Sequence, residues 1–213
     1  MSYQTIFFDL DGTLIDPKDS ITKSVQYALS KFGIKAELNE IISFIGPPLE
    51  ESFQQYYGFN EEQSALGSTY YREHFSKNGI QETMLYEGAK ELLQKLKAQN
   101  KSLSVVTAKM ITYAPALVKK HNIHTYFDNI IGVKPNQSNV SKSTLIKEAL
   151  ALYPELSKDT IVMIGDRKHD IFGAQANDID SIGVLYGYGS EEELRQSNPT
   201  HLVKTIEELG KYL

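Results

Sequence analysis

Short apolar runs rich in β-branched residues recur along this chain, separated by stretches with helical periodicity, and this alternation restricts the fold more than any other feature. The runs are Thr5 to Phe8, Leu103 to Val106, Asn129 to Val133, Thr160 to Ile164 and Ser181 to Leu185. They read as buried parallel strands. Between them, Ala89 to Ala98 sets Leu92, Leu93 and Leu96 on one helical face, and Ser143 to Leu152 does the same with Leu145, Ile146, Ala149 and Leu150. Strand alternating with helix predicts an α/β fold with a doubly wound, Rossmann-like parallel sheet, in which ligands collect at the carboxyl ends of the strands.

The interval from Asp16 to about Gln81 breaks the rhythm and carries helical patterns with no convincing strand. Ser20 is expected to cap a helix that places Ile21, Val25, Ala28, Leu29 and Phe32 on one face and stops at Gly33. A short helix follows over Leu38 to Phe44, and another over Leu49 to Tyr57 up to Gly58. Asn60 with Gln63 forms a capping-box pattern for a helix running to Lys77. The expected organisation is therefore a core of residues 1–15 and 82–213 with an inserted all-helical domain at 16–81. Such an insert would stand over the core's binding site as a lid.

The first strand runs directly into Asp9 and Asp11. Side chains in a strand repeat every two residues, so both carboxylates leave the strand end toward the same side. Each then disfavours the other's ionisation, a cost that a divalent cation or a proton relieves. A turn or helix cap would also use Asp, Gly and Thr. A calcium-binding EF-hand loop fails, because its fifth, sixth and twelfth positions counted from Asp9 hold Thr13, Leu14 and Ser20.

Bulk properties exclude several function classes. The 213 residues, 41% hydrophobic and 23% charged, suit an ordinary globular protein with a sizeable core. A net charge of -5 argues against a nucleic acid polymer as partner. No cysteine is present, which removes disulfides, thiolate metal sites and a cysteine nucleophile. No signal peptide is apparent, and no apolar stretch approaches the ~20 residues of a membrane span, so a cytoplasmic protein without a membrane partner is expected.

Three further segments end or follow expected strands. Thr107, Ala108 and Lys109 offer a hydroxyl and successive N–H groups that could cradle phosphate oxygens, although Thr is also a frequent helix cap. Lys142 precedes an amphipathic helix as a cation, and a solvated surface lysine is its plainer reading. Ile161 to Ile164 leads into Gly165-Asp166, with Asp170 four residues on. Acids at a helix start are common for dipole reasons, but that reading predicts no second acidic pair at another strand end.

With these segments in order, the chain resembles the haloacid dehalogenase-like superfamily, in the branch of phosphoglycolate phosphatases and 5′-nucleotidase-like enzymes. The resemblance rests on Asp9-Leu10-Asp11-Gly12-Thr13, then Thr107, Lys142, and Gly165-Asp166 with Asp170. It implies a phosphatase for small phosphate monoesters, phosphoglycolate phosphatase-like, with the helical insert as cap. It further implies that Asp9 is the nucleophile that becomes aspartyl-phosphate and Asp11 the acid and base. Phosphate contacts would come from Asp11, Gly12, Thr107, Ala108 and Lys142. Mg²⁺ would be held by Asp9, the backbone carbonyl of Asp11 and Asp166, supported by Asp170.

The family often carries Asn or Ser after the Thr107 position, where Ala108 keeps only the N–H. Its lysine is commonly followed by Pro, which makes Lys134, before Pro135, the rival of Lys142; Lys142 is preferred because it immediately precedes the amphipathic helix. Alternatives are a 5′-nucleotidase for nucleoside monophosphates, then a sugar-phosphate mutase or a non-enzymatic phosphate-binding regulator. The expected partner is a small phosphorylated metabolite, and the protein a monomer or homodimer. Gly183, Gly187 and Gly189 depart from dinucleotide-binding spacing, and Ser190 with Glu193 suggests a capped helix after them. His121 and His124 lack a third ligand and read as a helix-end loop.

Overall fold

The computed structural model describes residues 3–213 other than 136, 138 and 139. In chain order the elements are β1 (Thr5–Phe8), β2 (Ile15–Asp16), α1 (Lys18–Ser30), α2 (Leu49–Tyr57), α3 (Glu61–His74), β3 (Met84–Leu85) and α4 (Ala89–Ala98). They continue with β4 (Ser102–Met110), α5 (Ala114–Lys120), β5 (Asn129–Val133), α6 (Lys142–Leu150), β6 (Ile161–Gly165) and α7 (Lys168–Gln175). The chain ends with β7 (Asp180–Val184), α8 (Glu191–Gln196), β8 (His201–Val203) and α9 (Ile206–Leu209). One compact unit runs to Asp16 and resumes from Leu85 to Leu213; the other is Pro17–Met84.

The larger unit is the doubly wound α/β architecture that the alternation predicted. Its sheet has the order β5-β4-β1-β6-β7-β8, and the strand pairs are parallel. Strand order reverses at β1, flanked by β4 on one side and β6 on the other, which makes its carboxyl end the switch point where such folds bind ligands. On one face Phe7, Val106, Ile131 and Met163 pack against Leu145, Ile146 and Ala149 of α6 and Ala174 of α7. Burying each such large apolar side chain contributes on the order of 1.5–3 kcal/mol, which anchors the strand ends that carry the polar site.

β5 and α4 occupy the predicted residues, and β6 and β7 are displaced by a single residue. β4 continues past the predicted end at Val106 to Met110, because its register against β5 shifts there.

In the helical unit, Ile21, Val25, Ala28 and Leu29 of α1 are buried as the periodicity required. Phe44, Phe53 and Phe59 form an aromatic core, with ring centroids 5.1 Å apart for Phe44 and Phe53 and 5.5 Å for Phe53 and Phe59. The capping box is present: Gln63 N–H donates to Asn60 Oδ1 at 2.8 Å and Asn60 N–H to Gln63 Oε1 at 3.0 Å. Ser20 is not the cap of α1. The helix starts at Lys18 after Pro17, whose ring pre-sets the backbone, and Ser20 lies buried inside it. The last long helix ends at His74 and passes into a π-turn over Phe75–Gly79. Two-residue strands β2 and β3, absent from the sequence reading, pair with each other. No helix among the described residues is long and apolar enough to cross a membrane.

Candidate active site

The site grows from the end of β1. The Asp9 N–H donates to Ile164 O at 2.8 Å, carrying the pairing with β6 one residue past the strand and fixing the Asp9 backbone. The chain then turns tightly, with Gly12 N–H donating to Ile15 O at 2.8 Å and Ile15 N–H to Leu10 O at 2.9 Å. Gly12 takes φ +83, and a Cβ there would collide with the Asp166 carboxylate. Both the left-handed backbone and the close approach demand glycine.

Asp166 follows β6 directly and is buried, with Oδ2 accepting from the Tyr188 N–H at 2.8 Å. The loop supplying that N–H reaches Asp166 only because Gly187 has no side chain; a Cβ there would overlap Asp166 Cβ and Gly12 O. Asp170 lies in the first turn of α7, buried, and its Oδ2 accepts from the Arg167 N–H at 3.1 Å. Lys142, the first residue of α6 after the Ser141 cap, reaches both arms. Its Nζ is 2.9 Å from Asp9 Oδ1 and 2.8 Å from Asp170 Oδ1, and it donates to Val106 O at 3.1 Å.

The third arm is β4. Val106 pairs with Ile131 and Met110 with Val133, so Thr107, Ala108 and Lys109 stand opposite the single residue Gly132 as a bulge. Thr107 is buried and its Oγ1 accepts the Lys109 N–H at 3.2 Å, while Ala108 is exposed. Lys109 turns inward, with Nζ 2.7 Å from Asp11 Oδ2.

Burial dominates the electrostatics. It raises the Asp11 carboxyl, helped by Asp9 and opposed by Lys109 and Lys142. It raises Asp166 well above the ordinary aspartate value, reinforced by Asp170 and Asp9. Asp170 is pushed up to about 6, chiefly by burial, against the pull of Lys142. For Lys142 burial alone would lower the ammonium, yet Asp170 and Asp9 overcome it and hold it above its usual value.

Ligand atoms of Asp9, Asp166 and Asp170 lie within 4.8 Å of one another. With all groups ionised, Asp9, Asp11, Asp166 and Asp170 against Lys109 and Lys142 leave two net negative charges. Asp166 Oδ1 is buried and accepts no hydrogen bond among the described residues. A divalent cation with a preference for oxygen ligands fits this set: it matches the residual charge and engages the orphaned oxygen.

The structure thus brings Asp9, Asp11, Thr107, Lys142, Asp166 and Asp170 to one sheet edge. The rival Lys134 is exposed and pairs with Glu148 at 3.2 Å. His121 ends α5 and His124 begins a short 3₁₀ turn. The carboxylate of Asp11 is engaged by Lys109, and the clustered carboxylates are Asp9, Asp166 and Asp170. Sequence reasoning named Lys109 only for its N–H and Gly187 only in a rejected motif. It missed the Lys109 side chain's contact with Asp11 and the parts of Tyr188 and Gly187 beside Asp166; the glycine-rich segment around Gly187 was the visible signal for the last two.

Residues 6–184 match the family described as haloacid dehalogenase-like hydrolase. A 5′-nucleotidase from Pseudomonas aeruginosa is 39% identical over 214 aligned positions, covering 100% of this chain and 96% of that protein. A phosphoglycolate phosphatase from Vibrio parahaemolyticus is 27% identical, covering 96% of this chain and 93% of its own length. The solved structure of a haloacid dehalogenase-like family hydrolase from Streptococcus pneumoniae superposes with a TM-score of 0.91 at 30% identity, over 99% of this chain and 98% of the other.

Proposed function

This chain belongs to the haloacid dehalogenase-like hydrolase family, and from that premise we propose that it hydrolyses small phosphate monoesters through an aspartyl-phosphate on Asp9, with Mg²⁺ as cofactor. That it is a phosphatase of this family is the coarser statement its relatives carry. For the substrate we favour a nucleoside monophosphate, since the more similar of the two named relatives is a 5′-nucleotidase; phosphoglycolate is the competitor. The helical insert, read as 16–81, is assigned to selecting that substrate, and the enzyme to the cytoplasm as a monomer or homodimer.

The observation that carries this reading is the convergence of Asp9, Asp166 and Asp170 with Lys142 bridging two of them. In the first step an Asp9 carboxylate oxygen bonds to phosphorus, the P–O ester bond breaks, and Asp11 gives its proton to the departing oxygen. In the second, Asp11 takes a proton from water as the water oxygen attacks phosphorus, which frees phosphate and restores Asp9. The raised Asp11 supports the protonated form that the first step needs. Asp9, the Asp11 backbone carbonyl and Asp166 would hold Mg²⁺, with Asp170 supporting them. The cation would offset charge on the phosphoryl oxygens. Thr107, Lys142 and the N–H groups of Gly12 and Ala108 would bind those oxygens.

Phosphate release from a panel of nucleoside monophosphates and phosphoglycolate, with and without Mg²⁺, tests the reading. Mg²⁺-dependent release with a nucleotide preferred is expected, and Asp9→Asn should be inactive and take up no covalent phosphate. Release by Asp9→Asn at the wild-type rate would remove Asp9 as nucleophile.

A further inference from the structure

Lys109 is a cation at the site to which the reaction just described gives no task. Its Nζ holds Asp11 Oδ2 at 2.7 Å, and the two side chains are only 9% and 18% exposed. The other oxygen of the same carboxylate, Asp11 Oδ1, is buried and has no hydrogen-bond partner among the described residues. The two oxygens of Asp11 are therefore distinguished by the protein.

The backbone is shaped to make this contact. Residues 107–109 bulge opposite Gly132, and a Cβ on Gly132 would stand 2.7 Å from Lys109 O and 3.2 Å from Ile111 N. The Lys109 N–H is itself tied to Thr107 Oγ1. Bulges beside active sites re-aim side chains, and this one delivers an ammonium to the residue two positions after Asp9. A buried ion pair contributes little net stability, because desolvation offsets the attraction. What the pair supplies is a fixed orientation.

We propose that Lys109 is a positioning residue: by holding Oδ2 it orients the Asp11 carboxyl so that Oδ1 faces the reacting oxygens. This rests on the reading of Asp11 as acid and base. The proton then passes from Oδ1 to the ester oxygen as the P–O bond breaks, and from water to Oδ1 as the aspartyl-phosphate is hydrolysed.

The test uses leaving groups. p-Nitrophenolate departs without a proton, whereas the alkoxide of glycerol 2-phosphate needs one. The quantity read is kcat/KM, which reports steps only through phosphorylation of the enzyme. Lys109→Met keeps the aliphatic stem and removes the ammonium; it should lose about tenfold or more on glycerol 2-phosphate beyond its loss on p-nitrophenyl phosphate. Equal losses on the two esters would overturn the proposal. Lys109→Gln, a weaker donor, should give an intermediate alkyl-to-aryl ratio; it carries the test alone if Lys109→Met does not fold, and a wild-type ratio in it would overturn the proposal. Asp9→Asn measured alongside separates the two readings. Activity in that variant sinks the catalytic assignment itself, whereas an inactive Asp9→Asn with equal losses for Lys109→Met sinks only the positioning role.

Discussion

Lys142 Nζ stands 2.8 Å from Asp170 Oδ1, joining the first residue of α6 to the first turn of α7, and the same ammonium is 2.9 Å from Asp9 Oδ1. Lys142→Met leaves two buried carboxylates facing each other without their cation. Breaking buried pairs in this way costs about 3–5 kcal/mol. Urea unfolding of the metal-free protein should show that loss without a change in slope. A loss under about 1 kcal/mol would mean that the carboxylates relax by protonation or rearrangement, and that Lys142 matters for substrate alone.

The raised carboxyls predict how stability follows pH. Asp170 moves from the ordinary 3.8 to about 6, and Asp166 and Asp11 shift in the same direction. An acid that holds its proton more tightly when folded contributes stability that is fully present below its unfolded value and lost as pH rises through the folded one. The contribution of Asp170 should therefore fade between about pH 4 and pH 6. A cation binds the deprotonated carboxylates, so its effect runs oppositely. Thermal melts at pH 5 and pH 7.5 with and without Mg²⁺ should show the larger Mg²⁺-induced rise at pH 7.5. An equal rise at both would place the bound cation away from these aspartates.

Gly187→Ala tests the loop that holds Asp166. The added Cβ would overlap Asp166 Cβ and Gly12 O, so either the loop withdraws its Tyr188 N–H or Asp166 moves. Loss of such an outer partner typically costs 10–100-fold in metal affinity. Magnesium titration of activity should shift by about that factor, with the far-ultraviolet circular dichroism unchanged. An unshifted titration would show that Asp166 keeps its orientation without Tyr188.

Much of this site was legible because its parts are local. Asp9 and Asp11 announce themselves by the period of a strand, and Asp166 with Asp170 by a strand running into a helix start. The Asn60 and Gln63 box was readable for the same reason, since its two hydrogen bonds span only three residues. Lys109 was not readable. Its direction depends on three residues of β4 facing one of β5, a register that exists only once the strands pair. Tyr188 acts through its N–H, which carries no side-chain signature, and it reaches Asp166 across 22 residues of sequence. Ser20 misled because a good capping residue lay just inside a helix that Pro17 had already begun.

Gly132→Ala addresses that unreadable register directly. The new Cβ would meet two backbone atoms, Lys109 O of β4 at 2.7 Å and Ile111 N, one residue past the end of β4, at 3.2 Å. Ile111 is held by its N–H to Val133 O at 2.9 Å, so β4 has little freedom to yield on that side. Overpacking of this kind costs about 1–3 kcal/mol, and the strain falls on the bulge that aims Lys109 at Asp11. Chemical unfolding should register the loss, and the alkyl-to-aryl ratio in kcat/KM should fall as it does for Lys109→Met. If Gly132→Ala loses stability but keeps the wild-type ratio, the bulge relaxes without moving the ammonium, and the Lys109 side chain finds Asp11 from more than one backbone geometry.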